Sequence, residues 1–235
     1  MNNKNYGKGR RVVAIDADDT LWENEPLFRE AERKWAELLR DHGTLEELSA
    51  RLYEVESGNM GDLGYGAKAF TLSLFEAALK ITGGKMDGTV AAGILEAGYS
   101  LLHNPATPME GVEETLRSLS ESGKYRLVMV TKGDLLDQQH KIERSGLGKY
   151  FDRIMVVSNK SAKEYLELCE EMGIEPSELT SVGNSLKSDV KPVIDIGGRG
   201  VYVPYRITWE HEKIDEFVHP RLTRIEKFSQ LLEIL

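Results

Sequence analysis

The chain has 235 residues, 40% hydrophobic and 29% charged, the composition of an ordinary globular protein long enough for one α/β domain or a core with a smaller insertion. A net charge of -9 argues against a general nucleic-acid or membrane-surface binder, although local lysines or a metal ion can still draw an anionic substrate. The single cysteine, Cys169, excludes an internal disulfide and fits a reducing cytoplasm, and there is no run of about 18 apolar residues to span a membrane.

The opening segment, 1–11, is polar and basic without the apolar centre of a secretory signal. Val12-Val13-Ala14-Ile15 then reads as a buried strand, and it runs straight into Asp16-Ala17-Asp18-Asp19-Thr20-Leu21-Trp22. Clustered carboxylates repel one another and resist desolvation, so this strand end calls for a counter-charge, most simply a divalent metal. If the chain stays extended past Ile15, Asp16 and Asp18 project to one side and converge beyond the strand's carboxyl end. Open α/β sheets bind their ligands there.

Helical patterns follow. Between Glu25 and His42 the apolar spacing of Phe28, Ala31, Trp35, Leu38 and Leu39 predicts a helix that tolerates Pro26 in its first turn. Thr44 and Glu47 have capping-box spacing and open a second helix. The stretch from Gly58 to Gly66 reads as a glycine-dense loop, and further helices are expected over 67–81 and 87–103. Residues 23–104 therefore form an all-helical insertion, closed by Asn104-Pro105-Ala106-Thr107-Pro108.

Beyond Pro108 strands and helices alternate, which implies a parallel sheet. Helices are expected over 111–122, 135–145, 161–172, 186–196 and 225–235, and strands over 127–130, 154–157, 179–182 and 201–203. In the third of these helices Cys169 shares a face with Tyr165, Leu168 and Met172, the placement of a buried core thiol. The fold class is α/β, a Rossmann-like core of residues 1–22 and 105–235 with an inserted all-α cap. The insertion leaves from the carboxylate end of the first strand, so it should sit over the site.

Each later strand also ends in chemistry. The second ends Thr131-Lys132-Gly133-Asp134, a hydroxyl and amides suited to a phosphate oxygen or to a simple turn. The third ends Ser158-Asn159-Lys160, with Ser161 and Glu164 spaced as a capping box. Lys160 precedes that helix, whereas Lys163 would oppose its dipole, so Lys160 is the lysine expected to face the carboxylates. The fourth ends Gly183-Asn184-Ser185, with Asp189 one turn on, an oxygen set that suits Mg2+. The five histidines have no zinc-ligand spacing.

In that order these strand ends resemble the four signatures of the haloacid dehalogenase superfamily: Asp16-Ala17-Asp18-Asp19-Thr20-Leu21, Thr131, Lys160, and Gly183-Asn184-Ser185 through Asp189. The resemblance covers the whole chain and matches the helical-cap subgroup. It implies a Mg2+-dependent phosphatase of a small phosphorylated metabolite, working through an aspartyl-phosphate. Asp16 would be the nucleophile and Asp18 the general acid and base; Thr131 and Lys132 would hold phosphate oxygens, and Lys160 would balance the charge. The metal would take Asp16, Asp18 and either Asn184 or Asp189, because Asn184 stands where the family usually has an acid. Dehalogenases proper resemble this fold but lack an acid at the position of Asp18. Phosphonate cleavage would need a cap lysine, and nothing singles out Lys34, Lys68 or Lys80. A non-catalytic phospho-ligand sensor is the alternative of another class. Within the cap, Tyr65 and Lys68 are the candidate substrate contacts. Trp22 and Trp35 read as packing residues, Asp19 as a turn or capping residue, and Trp209 has no assignment. Oligomeric state is not readable.

Overall fold

The computed structural model describes residues 10–235, so the reading of segment 1–11 lies, but for Arg10 and Arg11, outside the described residues. In chain order the elements are β1 (Arg11–Ile15), α1 (Glu25–Leu38), α2 (Leu45–Leu63), α3 (Ala67–Ile81), α4 (Gly88–Leu102), α5 (Val112–Glu121), β2 (Tyr125–Lys132), α6 (Leu135–Ser145), β3 (Arg153–Val157), α7 (Ala162–Met172), β4 (Leu179–Gly183), α8 (Lys191–Asp195), β5 (Arg199–Tyr202), β6 (Leu222–Arg224) and α9 (Leu231–Ile234). They group into two compact units. One runs through Glu23 and takes in Ala106–Lys132 and Ile142–Leu235; the other holds Asn24–Pro105 with Gly133–Lys141, a stretch opening α6 that the sequence reading had given to the core.

In the first unit the six strands form one parallel sheet in the order β3-β2-β1-β4-β5-β6. The chain moves outward from β1 to β2 and β3, then returns to the other side of β1 for β4. The point where strand order reverses thus lies beside β1, and open sheets of this kind form their ligand crevice there. Because side chains alternate, Val13 and Ile15 join one core with Leu127, Met129, Val182 and Val201. Val12 and Ala14 join the other with Val128, Val130, Tyr165 and Leu168, and Cys169 and Met172 are buried among these. Ile15 is in register with both Met129 and Val182, so β1 and β4 end at nearly one level while β2 runs on to Lys132.

The helical unit has its own core of Trp35, Leu39, Leu48, Leu52, Phe70 and Leu74 with neighbouring apolar residues. The indole of Trp35 donates to the carbonyl of Leu74 at 3.1 Å. The capping box of Thr44 and Glu47 opens α2 as the spacing predicts. No helix of the described residues is long and apolar enough to cross a membrane.

Three expectations need correction. Residues 58–63 are not loop: α2 continues to Leu63, and only Gly64 to Gly66 turn, with φ of 68° and 103° at the two glycines. Asn59 docks the end of α2 onto α3 by donating to Glu76 at 2.9 Å and Ser73 at 3.2 Å, which outweighs the low helix propensity of Gly58 and Gly61. The helix expected over 186–196 is instead a π-turn, Leu186–Val190, followed by the short α8; Pro192 has no N–H to give and sits in the first turn of α8. The final helix is cut to α9, because Leu222–Arg224 pairs with β5 as a sixth strand and the Ile225 amide extends that ladder to the Tyr202 carbonyl. Elsewhere the bounds shift by a residue or two, apart from the first helix, which ends at Leu38 before a 3-10 turn over Arg40–His42.

Candidate active site

Asp16 continues the ladder past β1, its amide donating to the Val182 carbonyl at 2.9 Å. Its side chain is buried, and both carboxylate oxygens are held: Oδ1 accepts from the Lys160 ammonium and Oδ2 from the Thr20 hydroxyl at 2.7 Å. The chain then turns instead of staying extended. Leu21 donates to the Ala17 carbonyl at 2.7 Å, and Asp19 adopts a left-handed φ of 61°, a conformation that Asp tolerates better than most residues. No helix starts there, so Asp19 is a turn residue. The same turn brings Trp22 back onto Asp18, whose Oδ1 accepts from the indole N–H at 2.7 Å. Trp22 is fully buried and packs as expected, but it also orients a carboxylate.

Thr131 lies within β2, not in a turn. Its side chain is 1% exposed, and its hydroxyl has no hydrogen-bond partner among the described residues. A buried hydroxyl left in that state loses free energy unless a ligand satisfies it. Lys132 points away from Thr131 along the strand and is ion-paired with Glu212, with the Trp209 ring centroid 5.7 Å from its ammonium.

The Ser161–Glu164 capping box forms as predicted and fixes the start of α7. Lys160, just before it, is 5% exposed and also donates to Asp189 Oδ1 at 2.7 Å, whereas Lys163 is exposed and lies 3.7 Å from Glu167. The second oxygen of Asp189 accepts from the Ser185 amide at 3.0 Å, so both of its oxygens are committed inside the protein. A Cβ on Gly183 would lie 2.2 Å from that oxygen, so this position tolerates only glycine while Asp189 stays in place. Asn184 is less buried, and its Oδ1 lies 3.3 Å from the Thr20 hydroxyl, which also accepts from the Asn184 amide at 3.1 Å.

Electrostatics follow from that geometry. Burial works against the Lys160 ammonium, yet Asp16 and Asp189 together hold its pKa well above the ordinary lysine value. Burial, reinforced by Asp16, pushes Asp189 up to about 7 in spite of Lys160. With both acids ionised, one cation faces two carboxylates and the cluster is a net anion. A phosphate group entering it would need further positive charge.

Among the described residues no three His, Cys, Asp or Glu side chains gather to hold a metal by themselves. The oxygens that do gather are a mixed set: Asp16 Oδ2 and Asn184 Oδ1 both lie within hydrogen-bonding reach of one hydroxyl, that of Thr20, which can donate to only one of them at a time. Two hard oxygen acceptors around one small donor is a donor set that fits Mg2+.

Asp16, Lys160, Asn184 and Asp189 are thus brought together, with Asp18 held beside them on the turn and Thr131 on the neighbouring strand. Tyr65 and Lys68 belong to the helical unit. Tyr65 is half-buried there, and Lys68 makes an ion pair of 2.9 Å with Asp134. Thr20, Ser185, Ser188 and Glu212 were not singled out from the sequence. Thr20 stood inside the first signature, but Glu212 carries no local signal and is found only through its contacts.

The model of the haloacid dehalogenase-like hydrolases matches residues 10–197. A haloacid dehalogenase-like hydrolase from Xanthomonas campestris superposes with a TM-score of 0.85 at 35% identity, over 97% of this chain and 91% of that one. The chain is 24% identical to a glyceraldehyde 3-phosphate phosphatase of Methanothermobacter thermautotrophicus, over 96% of this chain and 99% of that protein. It is 28% identical to an N-acylneuraminate-9-phosphatase of Rattus norvegicus over about half of each, 53% and 52%. A carboxylate at the end of the central strand of such a sheet, together with these matches, places the chain in the haloacid dehalogenase-like hydrolase family.

Proposed function

We propose that this hydrolase is a Mg2+-dependent phosphatase acting on a small-molecule phosphate monoester. The observation that carries the reading is the pair of carboxylates beyond β1, Asp16 held by Lys160 and Thr20, and Asp18 held separately by Trp22. Two acids oriented independently suit two roles. Asp16 attacks phosphorus, forming an aspartyl-phosphate, while Asp18 protonates the departing alcohol as the ester P–O bond breaks. Asp18 then takes a proton from water, which attacks the phosphorus and releases Asp16 with inorganic phosphate. The buried Thr131 hydroxyl donates to a phosphate oxygen, and Lys160 offsets charge on Asp16 and the phosphoryl group.

Asp16, the backbone carbonyl of Asp18 and Asn184 would hold the metal, with Asp189 acting through Lys160 and Ser185. That assignment is supported by Asp189 having both oxygens committed and Asn184 having its amide oxygen at the Thr20 hydroxyl. When bound, Mg2+ supplies the positive charge that the anionic cluster lacks. Relatives named as phosphatases of glyceraldehyde 3-phosphate and of N-acylneuraminate 9-phosphate favour a phosphorylated carbohydrate or related metabolite. Asp18 counts against dehalogenation, since carbon–halogen displacement needs no protonated leaving group.

The test is hydrolysis of an aryl phosphate and a sugar-phosphate panel with and without Mg2+. Metal-dependent release of phosphate is expected, and Asp16→Asn should bind Mg2+ without turnover. No release across the panel would leave the sensor reading standing; turnover by Asp16→Asn would remove it as the nucleophile.

A further inference from the structure

After β5 the chain crosses back over the carboxyl end of the sheet. Tyr205 and Arg206 bind Glu23 at 2.9 and 2.8 Å, and Lys187 holds the His211 carbonyl at 2.7 Å, so the segment is fixed on both sides of Trp209. It ends in a short 3-10 turn, Glu210–Glu212, that delivers one carboxylate to two different strand ends. Glu212 Oε1 accepts from Lys132, the residue after Thr131 at the end of β2. Glu212 Oε2 accepts from the hydroxyls of Ser185 and, at 2.6 Å, Ser188, in the turn after β4.

Those serines are not incidental. The Ser185 hydroxyl accepts from the Ser188 amide at 3.0 Å and so closes the π-turn, while the Ser185 amide holds Asp189. Asn184 is the adjacent residue. The side chains of Lys132 and Glu212 are each 13% exposed, so the pair is largely shielded from water and salt. Without Glu212, Lys132 would lose its ion pair, and the hydroxyls of Ser185 and Ser188 would lose their acceptor.

We propose that Glu212 is a positioning residue, a clamp that fixes the β2 end against the β4 turn and so sets the direction of the Asn184 oxygen. The inference rests on the reading of Asn184 as a metal ligand. Glu212 touches neither substrate nor metal; it works through Ser185, Ser188 and Lys132, as partners of ligand residues commonly do.

The experiment uses Glu212→Gln and Glu212→Ala in the full chain, with Mg2+ binding by calorimetry and kcat and KM on an aryl phosphate. Loss of such supporting contacts commonly costs about 10–100-fold in metal affinity or activity. Glu212→Gln keeps the shape but loses the charge, so it should retain the wild-type melting temperature within a few degrees and still bind Mg2+ at least about tenfold more weakly. If Glu212→Ala fails to fold, Glu212→Gln alone decides the matter. The Ser188→Ala change should add little to Glu212→Ala, because the Ser188 hydroxyl donates to Glu212 and both changes break that link. Wild-type Mg2+ affinity in a folded Glu212→Gln protein overturns the proposal, as does a wild-type chain that binds no Mg2+. Calorimetry separates this inference from the phosphatase reading: weakened Mg2+ binding with no ester hydrolysed by any form keeps the clamp and removes the phosphatase.

Discussion

Lys160→Met tests the charge cluster directly. In the native protein the Lys160 ammonium lies between the carboxylates of Asp16 and Asp189, which are 7% and 1% exposed. Methionine keeps the length and removes the charge, leaving two buried acids facing each other. Removing one partner of a buried ion network costs about 3–5 kcal/mol, which in a domain of this size is a melting-temperature fall of roughly 6–20 °C. The loss should also depend on pH in a fixed direction. Lys160 is held protonated well above the ordinary lysine value, so its contribution in the native protein persists through the neutral range and fades only above that value. Asp189 is already pushed up to about 7, so its titration costs the native protein stability from about pH 4 to 7 and nothing more above that. In Lys160→Met, with the cation gone, Asp189 ionises at still higher pH. The gap to the native protein should therefore widen above pH 7, by about 1.4 kcal/mol per pH unit until the new pKa is passed. Urea unfolding at pH 6, 7, 8 and 9 measures this. The added change Asp189→Asn should flatten the dependence. A gap that stays constant or narrows between pH 7 and 9 would refute the account of the cluster.

The other predictions are more local. Trp22→Phe keeps the packing but removes the donor to Asp18; a hydrogen bond to a charged group is worth about 1.5–3 kcal/mol, so kcat should fall about 10–100-fold with KM nearly unchanged, by steady-state kinetics. An equal rise in KM would instead make Trp22 a substrate-binding residue. Gly183→Ala sets a Cβ 2.2 Å from Asp189 Oδ2, and either acid or backbone must move. A loss of about 1–3 kcal/mol in urea unfolding is expected, together with lowered turnover. In the helical unit, burial pushes Glu25 up to about 7 against the pull of Arg29. Its folded pKa is raised, so stability is lost as pH rises from about 4.5 to 7, and Glu25→Gln should shrink that loss by at most about 3 kcal/mol. Unfolding midpoints that fall equally in both proteins between pH 5 and 8 would contradict it.

The fold was legible wherever the pattern was periodic and locally closed. The helix over 67–81 and the one over 135–145 have the predicted limits, because apolar spacing and punctuating glycines agree there. The buried strands were visible as short apolar runs. Tertiary contacts overrode local signals elsewhere. The bonds of Asn59 to Ser73 and Glu76 of α3 kept Gly58 and Gly61 helical, and pairing with β5 turned Leu222–Arg224 into a strand. In the site, the spacing gave Lys160 over Lys163 because a capping box has a fixed geometry. Trp22 read only as packing, since composition does not reveal where an indole N–H points. Glu212 was invisible for a stronger reason: its meaning lies in Lys132, Ser185 and Ser188, which are distant in sequence.

The central position of β1 also governs the order in which this chain can be assembled. Its neighbours are β2, where Arg11 meets Tyr125, and β4, where Ile15 meets Val182. At about 5–20 residues per second, synthesis leaves roughly 8–30 s between the emergence of Ile15 and of Val182. For that interval Val12-Val13-Ala14-Ile15 is an apolar segment without its sheet. The apolar core of the helices, from Ala31 to Leu101, is complete in the chain long before. The three acids that follow that segment are gatekeeping charges of the kind that keep an apolar run from pairing with a neighbour.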